Sequence, residues 1–252
     1  MRRIDRAIDA LRVRDKEADD LKVRDEVFDE PTLKALYGLS SNGTIQALGG
    51  VISTGKEANV FHALGPDRAE LAVKIYRIKT SDFKTMQDYI LGDYRFAHVR
   101  RTKKDIVFAW TKKEFRNLVR ACKADVRVPK PIQYRENVLV MEFMGKNGVP
   151  FPLLKLAIKH TQNISGLYQM IIDSMQKLYR NARLVHADLS EYNILLNNDA
   201  TPIFIDMGQS VLVDHPRATE FLRRDISNIL SFFRSVSGLE VSETEVLRKI
   251  TQ

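Results

Sequence analysis

The chain has one cysteine, Cys122, in 252 residues, so no internal disulfide framework exists and a reducing compartment fits. No base stands near Cys122 in the sequence to activate it, and it reads as a small core residue. The five histidines show no metal-ligand spacing. No apolar run approaches the ~18 residues that a membrane span needs. Met1-Arg2-Arg3-Ile4-Asp5 is not followed by an apolar stretch, which argues against a secretory leader. A cytoplasmic protein without a membrane partner is expected. Internal repeats and low-complexity tracts are also missing.

What is present is an ordinary globular composition, 44% apolar and 29% charged, in a chain long enough for one large domain or two small lobes. The net charge of +8 is uneven. Between Arg77 and Lys113, ten Lys and Arg face four Asp, with six aromatics interleaved: Phe83, Tyr89, Tyr94, Phe96, Phe108 and Trp110. Such a stretch suits an acidic partner such as RNA; the plain alternative is a solvated, mobile loop.

Residues 1–48 read as an N-terminal helical extension, with Ile4, Ala7, Ile8 and Leu11 at helical spacing and Pro31 opening a further helix. Residues 49–145 read as a β-rich lobe carrying a flexible basic insertion at about 77–111. Val51 to His62 reads as strand, glycine turn, strand, followed by strands at Leu71–Tyr76 and Val138–Phe143, with a short helix over Lys112–Cys122. Residues 146–252 turn helical. Leu167, Met170, Ile171, Ser174, Met175 and Leu178 make one face, and Leu222, Ile226, Ile229, Leu230 and Phe233 another. Two short apolar runs, Ile194–Leu196 and Ile203–Ile205, flank the turn Asn197-Asn198-Asp199. The fold class is α+β, with a β-rich first half and a helical second half.

The sharpest motif is His186-Ala187-Asp188-Leu189-Ser190-Glu191-Tyr192-Asn193, followed by Ile205-Asp206-Met207-Gly208. An Asp, an Asn five residues on, and an Asp-x-Gly after two short strands resemble the catalytic loop and metal motif of protein kinases. Phosphoryl transfer asks the protein for positioning and charge neutralisation. Asp188 would accept the attacking hydroxyl's proton, while Asn193 and Asp206 would hold Mg²⁺ or Mn²⁺ through hard oxygens. Taken singly, each could be a turn-capping residue. Upstream, Lys74 stands where a strand lysine meets the α- and β-phosphates. Glu114, forty residues on, is the candidate to orient it, with a plain helix-surface charge as the alternative. Glu142 and Met144 sit where backbone groups would meet an adenine edge.

Gly50-Val51-Ile52-Ser53-Thr54-Gly55-Lys56-Glu57 is one residue short of a Walker A loop, because Glu57 stands where a Ser or Thr must touch the metal. A Walker loop also opens a helix, whereas Val60-Phe61-His62-Ala63-Leu64 is strand-like, so a hairpin is expected. Its tip, Ser53 to Ala58, would let backbone N–H groups approach phosphates. The three-glycine kinase pattern is absent.

Ser53-Thr54-Gly55-Lys56-Glu57-Ala58, together with His186–Asn193, closely resembles the RIO family of atypical protein kinases, in its first subfamily. Gly92-Asp93-Tyr94-Arg95-Phe96, Lys113–Leu118, Ile205–Ser210 and His215–Arg223 agree, so the likeness covers roughly residues 32–238. It implies a trimmed bilobal kinase fold without activation segment or peptide-binding platform. It also implies ATP with a divalent metal, Ser/Thr autophosphorylation, a part in small ribosomal subunit maturation, and an aspartyl-phosphate on Asp206 that would make the protein an ATPase. Val60 and Leu195 complete the nucleotide-binding set it implies. The short chain suggests an archaeal member. The residues agree independently: 46 residues follow Asp206 without an A-P-E segment, and Ala187 replaces the arginine that reads an activation-loop phosphate. Two rivals remain: a small-molecule kinase of the aminoglycoside or choline type, and a non-catalytic RNA-binding scaffold gated by ATP.

Overall fold

A computed structural model describes residues 28–79, 83–96, 99–100 and 102–252. The helix expected from Ile4 to Leu11 lies outside the described residues, as do Thr80, Ser81 and Arg101. The chain divides into two compact units. The first holds the described residues of Met1–Asp88, His98–Phe115 and Pro131–Pro150; the second holds those of Tyr89–Ala97, Arg116–Lys130 and Phe151–Gln252.

In the first unit, helix α1 (Glu30–Ser41) starts where Asp29 accepts hydrogen bonds from Thr32 N and Oγ1 at 3.0 and 2.7 Å, with Pro31 in the first turn. A five-stranded antiparallel sheet follows, built from β1 (Ala47–Thr54), β2 (Ala58–Leu64), β3 (Glu70–Tyr76), β4 (Pro131–Arg135) and β5 (Val138–Glu142). Its order is β1-β2-β3-β5-β4. A short hairpin, β6 (Gly145–Lys146) and β7 (Val149–Pro150), follows β5. Ala35, Leu36 and Leu39 of α1 share one core with Leu48, Phe61, Val73, Ile75, Val138 and Val140. Each large aliphatic side chain so buried contributes roughly 1.5–3 kcal/mol. Helix α1 is therefore packed into the sheet, and the unit starts before the boundary expected at residue 49. Buried Asn137 fastens the two, donating to Thr32 Oγ1 at 2.7 Å and Tyr76 O at 2.8 Å.

The basic stretch corrects the expectation of a flexible loop at about 77–111. Its described residues form helix α2 (Phe83–Leu91) and the start of α3 (Lys103–Lys123), which begins well before Lys112. Met86, Tyr89, Ile90, Phe96, Ile106, Val107 and Trp110 are buried. The basic residues interrupt the apolar periodicity in the sequence, but Lys84, Lys103 and Lys104 are exposed on these helices, where a lysine can stay hydrated, while Lys113 is fully buried. Tyr89–Ala97 and Arg116–Lys130 also belong to the second unit, not to the first lobe of the sequence reading.

The second unit contains α4 (Leu154–Ala157), α5 (Ile164–Arg180), α6 (Ala218–Ser237) and α7 (Glu243–Thr251). Two short antiparallel pairs join β8 (Leu184–Val185) to β11 (Val211–Leu212) and β9 (Ile194–Leu196) to β10 (Pro202–Phe204). The turn between β9 and β10 is held by Asn197 Oδ1, which accepts from Asp199 N and Thr201 N at 3.0 and 2.8 Å. Helix α5 buries Leu167, Tyr168, Ile171, Ile172, Met175 and Leu178, whereas Met170, expected on that face, is exposed. All five apolar residues expected on the buried side of α6 are buried, and Gly238 closes the helix at φ +67°. Cys122 is half-buried, not core. No helix among the described residues is long and apolar enough to cross a membrane.

Candidate active site

The first unit supplies a glycine-tipped hairpin and a buried ion pair. β1 and β2 pair antiparallel up to Thr54 opposite Asn59, and Gly55 N donates to Ala58 O at 2.9 Å, closing the turn. Ser53, Thr54, Gly55 and Lys56 are exposed at its tip, with Glu57 and Ala58 half-buried. The segment after the turn is a strand and not a helix, which removes the Walker geometry. A Cβ on Gly55 would stand 3.0 Å from Ala58 O, so glycine permits this tight closure. Val60 pairs with Ser53 on one side and with Lys74 on the other, linking the tip to the lysine through one register.

Lys74 lies on β3, the middle strand, and is almost wholly buried. Its Nζ is 2.8 Å from Glu114 Oε1, and Glu114 is itself buried on α3. The Tyr76 hydroxyl donates to the other carboxylate oxygen, and the Lys74 ammonium stands 5.1 Å from the Tyr76 ring centre. A buried charge pair is held only when its remaining lone pairs are also met, and Tyr76 meets them. Glu114 is thus no surface charge. Tyr76 was missed in the sequence, although it lies two residues beyond Lys74, on the same face of the strand. Glu142 ends β5 opposite Leu71, and Phe143 N donates to Glu70 O at 3.4 Å, with Met144 buried beyond.

The second unit carries the catalytic-loop motif. Asp225 on α6 is 1% exposed and accepts from Ala187 N at 2.8 Å and Leu189 N at 2.9 Å. It is therefore a buried anchor of the catalytic loop. Asn228 Nδ2 donates to Leu189 O at 3.1 Å, and Arg224 donates to Ala187 O. These bonds hold Ala187 at φ +67°, a left-handed conformation that costs a non-glycine residue roughly 1–2 kcal/mol. His186 packs beneath and donates through Nε2 to Ile205 O at 3.0 Å.

Asp188 projects from this clamp half-buried. Asn193 Nδ2 donates to its backbone oxygen at 2.7 Å and to its Oδ2 at 3.2 Å; Gln209 Nε2 donates to the same Oδ2 at 3.2 Å. Burial, and then the Asp206 carboxylate, push the Asp188 carboxyl above the usual range, against the pull of Arg224 and Asn193. Burial pushes Asp225 up to about 7, while the two backbone N–H groups and Arg224 oppose it. Burial works against the charge of Arg224, but the Tyr89 hydroxyl, Asp225 and Asp188 outweigh it and raise its pKa. Ile205 N donates to Asn193 O at 3.0 Å, which joins the catalytic loop to the Asp206 loop. Asp206 is exposed at φ +62°. Leu195 is buried on β9, in register with Ile203.

Among the described residues no group of three or more His, Cys, Asp or Glu gathers to hold a metal. Asn193 and Asp206 offer one amide oxygen and one carboxylate, a donor set that fits Mg²⁺, which commonly takes one or two carboxylates and completes its shell with phosphates and water. Gln209 and Arg224 were not assigned roles from the sequence. Gln209 touches Asp188 only because the Asp206 loop turns back, and Arg224 reaches Ala187 from a distant helix. No local spacing encodes either contact.

A family model described as the RIO domain matches residues 59–246. The RIO-type serine/threonine-protein kinase Rio1 of Haloferax volcanii is 51% identical over 233 residues, covering 92% of this chain and 79% of that protein. Its namesake from Methanocaldococcus jannaschii is 46% identical over 216 residues, 86% and 73% of the two chains. The human serine/threonine-protein kinase RIO1 is 40% identical over 248 residues, and the match spans only 44% of its length. Among solved structures, the Rio2 kinase-ADP/Mg²⁺-phosphoaspartate complex from Chaetomium thermophilum superposes with a TM-score of 0.68. That match covers 88% of this chain and 67% of the other at 22% identity, a likeness of fold. The α+β architecture, an antiparallel-sheet unit and a helical unit, is a trimmed kinase fold.

Proposed function

Because the chain belongs to the RIO family of atypical protein kinases, in its first subfamily, we propose that it transfers the γ-phosphoryl group of ATP to serine or threonine hydroxyls of proteins, itself included. The observation that carries this is the setting of Asp188. Two amide donors, from Asn193 and Gln209, converge on its Oδ2. Oδ1 is then the oxygen that takes the acceptor's proton as its hydroxyl attacks phosphorus. A carboxyl raised above its usual value is a stronger base for that step. Asn193 and Asp206 hold Mg²⁺ or Mn²⁺, which neutralises phosphate charge when bound. In the first unit, Lys74, kept in place by Glu114, meets α- and β-phosphate oxygens. Backbone groups of Ser53, Thr54, Gly55, Lys56, Glu57 and Ala58 approach the phosphates, while Glu142, Met144 and Val60 receive the adenine. Incubation with γ-labelled ATP tests the reading: label should appear on protein Ser or Thr and be lost in Asp188→Ala. Label found only on small hydroxyl compounds would support the aminoglycoside or choline type instead.

The exposed carboxylate of Asp206 supports a second activity. An oxygen of Asp206 bonds to the γ-phosphorus while the bond to the β–γ bridging oxygen breaks and ADP leaves. Water then hydrolyses the acyl phosphate, releasing phosphate and restoring Asp206. The net reaction is ATP hydrolysis. Hydroxylamine-labile label that vanishes in Asp206→Ala is the expected sign; label stable to hydroxylamine rules the intermediate out.

Exposed Lys103 and Lys104, whose ammonium groups lie 4.8 and 5.3 Å from the Phe83 and Phe108 rings, support an acidic partner. The pre-ribosomal small subunit or its RNA is the partner proposed. Binding should weaken steeply with salt, since phosphate contacts release counterions. If neutralising Arg100, Arg101, Lys103 and Lys104 leaves that salt slope unchanged, the basic helices serve something else.

A further inference from the structure

Resting on the metal-binding role proposed above for Asp206, the structure assigns Asn117 as a positioning residue: its side-chain amide, oriented by the Asp93–Arg95 pair, fixes the backbone of the loop that carries Asp206. Asn117 is fully buried on α3, and its Nδ2 donates to both Met207 O and Ser210 O at 2.9 Å. An amide has two hydrogens, so both are spent on this loop. Met207 directly follows Asp206 and Ser210 directly follows Gln209, which donates to Asp188. One side chain therefore pins the residue after the metal ligand and the residue after a partner of the base. Ser210 N donates to Met207 O at 3.3 Å, so the pinned segment is itself a closed turn.

The amide must face the right way for this. Asn117 Oδ1 accepts from Arg95 Nη2 at 3.0 Å. Arg95 is held in turn by Asp93, which accepts from Nε at 2.9 and 3.0 Å and from Nη2 at 2.6 Å, and from Arg95 N at 3.0 Å. Flipping the amide would set its NH₂ against a guanidinium and its oxygen against two carbonyls, losing three hydrogen bonds at once. Asp93 is 2% exposed. A buried carboxylate is costly unless paired, so this pair needs a reason to be there. The surrounding segment is built to hold it. Gly92 lies against His215, where a Cβ would fall 1.8 Å from Nε2. Phe96 is buried, with the guanidinium carbons of Arg95 and Arg116 at 5.6 and 5.5 Å from its ring centre. Phosphoryl transfer uses none of these side chains directly, and the orientation of Asn117 accounts for Asp93 and Arg95 within the motif Gly92-Asp93-Tyr94-Arg95-Phe96.

The test is Mn²⁺ binding to the ADP-loaded protein, read by electron paramagnetic resonance, in wild type, Asp206→Ala, Asn117→Asp and Arg95→Lys. Asn117→Asp keeps the shape, removes both donors and faces two carbonyls with an oxygen. It should raise the Mn²⁺ dissociation constant about 10–100-fold, as loss of an outer-shell partner of a metal ligand does. Metal-free ADP affinity and the circular dichroism spectrum should stay at wild-type values. Arg95→Lys keeps the charge without the fork and should give a smaller weakening in the same direction, which also serves if Asn117→Asp does not fold. Wild-type Mn²⁺ affinity in a folded Asn117→Asp or in Arg95→Lys, alongside weak binding by Asp206→Ala, overturns the inference alone. Wild-type affinity in Asp206→Ala overturns the assignment of the metal ligand, and the inference with it.

Discussion

The glycine-tipped hairpin of the first unit and the Ala187–Leu189 loop of the second are built on opposite plans. Ser53 to Lys56 stand in solvent at the end of the β1–β2 ladder, where the turn is closed by Gly55 N donating to Ala58 O. Ala187 to Leu189 are held by Asp225, Asn228 and Arg224, with Asn193 and Gln209 on Asp188 itself. Under the proposed function, the first plan leaves a backbone free to fold around a flexible triphosphate. The second would fix the proposed base before substrate arrives, so that little reorganisation remains for the transition state. Tolerance to substitution should follow the same division.

The largest effect is expected at the fixed end. Asp188→Asn keeps the hydrogen-bonding shape but removes the base, and kcat should fall about 10²–10⁴-fold with the Tm nearly unchanged. A wild-type kcat would remove the contrast between the two regions.

Asp225 gives the next effect, read as stability against pH. Its folded pKa, about 7, lies above the unfolded value of 3.8. The proton-bound form is therefore favoured by folding, and the contribution is fully present below about pH 4. It is lost as pH rises to about 7, by about 4 kcal/mol in total, and is constant beyond. Asp225→Asn should flatten this slope in denaturant titrations from pH 4 to 7. It should also add a pH-independent cost of about 1–3 kcal/mol, because one backbone N–H then faces an NH₂. An unaltered slope would mean that another group carries it.

Glu114→Gln tests the buried ion pair of the first unit. The Lys74 ammonium loses its counter-charge while Tyr76 keeps a partner, so a loss of about 1–3 kcal/mol is expected, with a raised KM for ATP. Thermal unfolding and ATP titration together check it. Lys56→Ala, at the hairpin tip, should stay within about 0.5 kcal/mol in stability. A larger loss there would show that the hairpin is not the loosely held region its exposure suggests.

How far this was legible in the sequence depends on where each role is encoded. Asp188, Asn193 and Asp206 stand out because chemistry demands those side chains at fixed spacing, and the structure brings Asn193 onto Asp188. Lys74 and Glu114 were paired across forty residues by the same logic, and they meet. The early start of α3 was hidden because Lys103, Lys104 and Asp105 look like a loop when read singly, while Ile106, Val107 and Trp110 are the buried side of a helix. Met170 fits the apolar period of α5 yet faces outward, since periodicity marks a stripe without setting its width. Gln209, Arg224 and Asn117 could not be assigned at all. Their work lies in bonds to backbone or side chains of other elements, which tertiary contact alone creates.

The forty-residue separation of Lys74 and Glu114 also sets an order of assembly. β1, β2 and β3 are joined by turns of a few residues, so the meander can form from local encounters. The ion pair must close a much longer loop, and the entropy of closure grows with the logarithm of that length. In a refolding chain the sheet signal should appear first, and competence to bind nucleotide should arrive only with the later docking of α3.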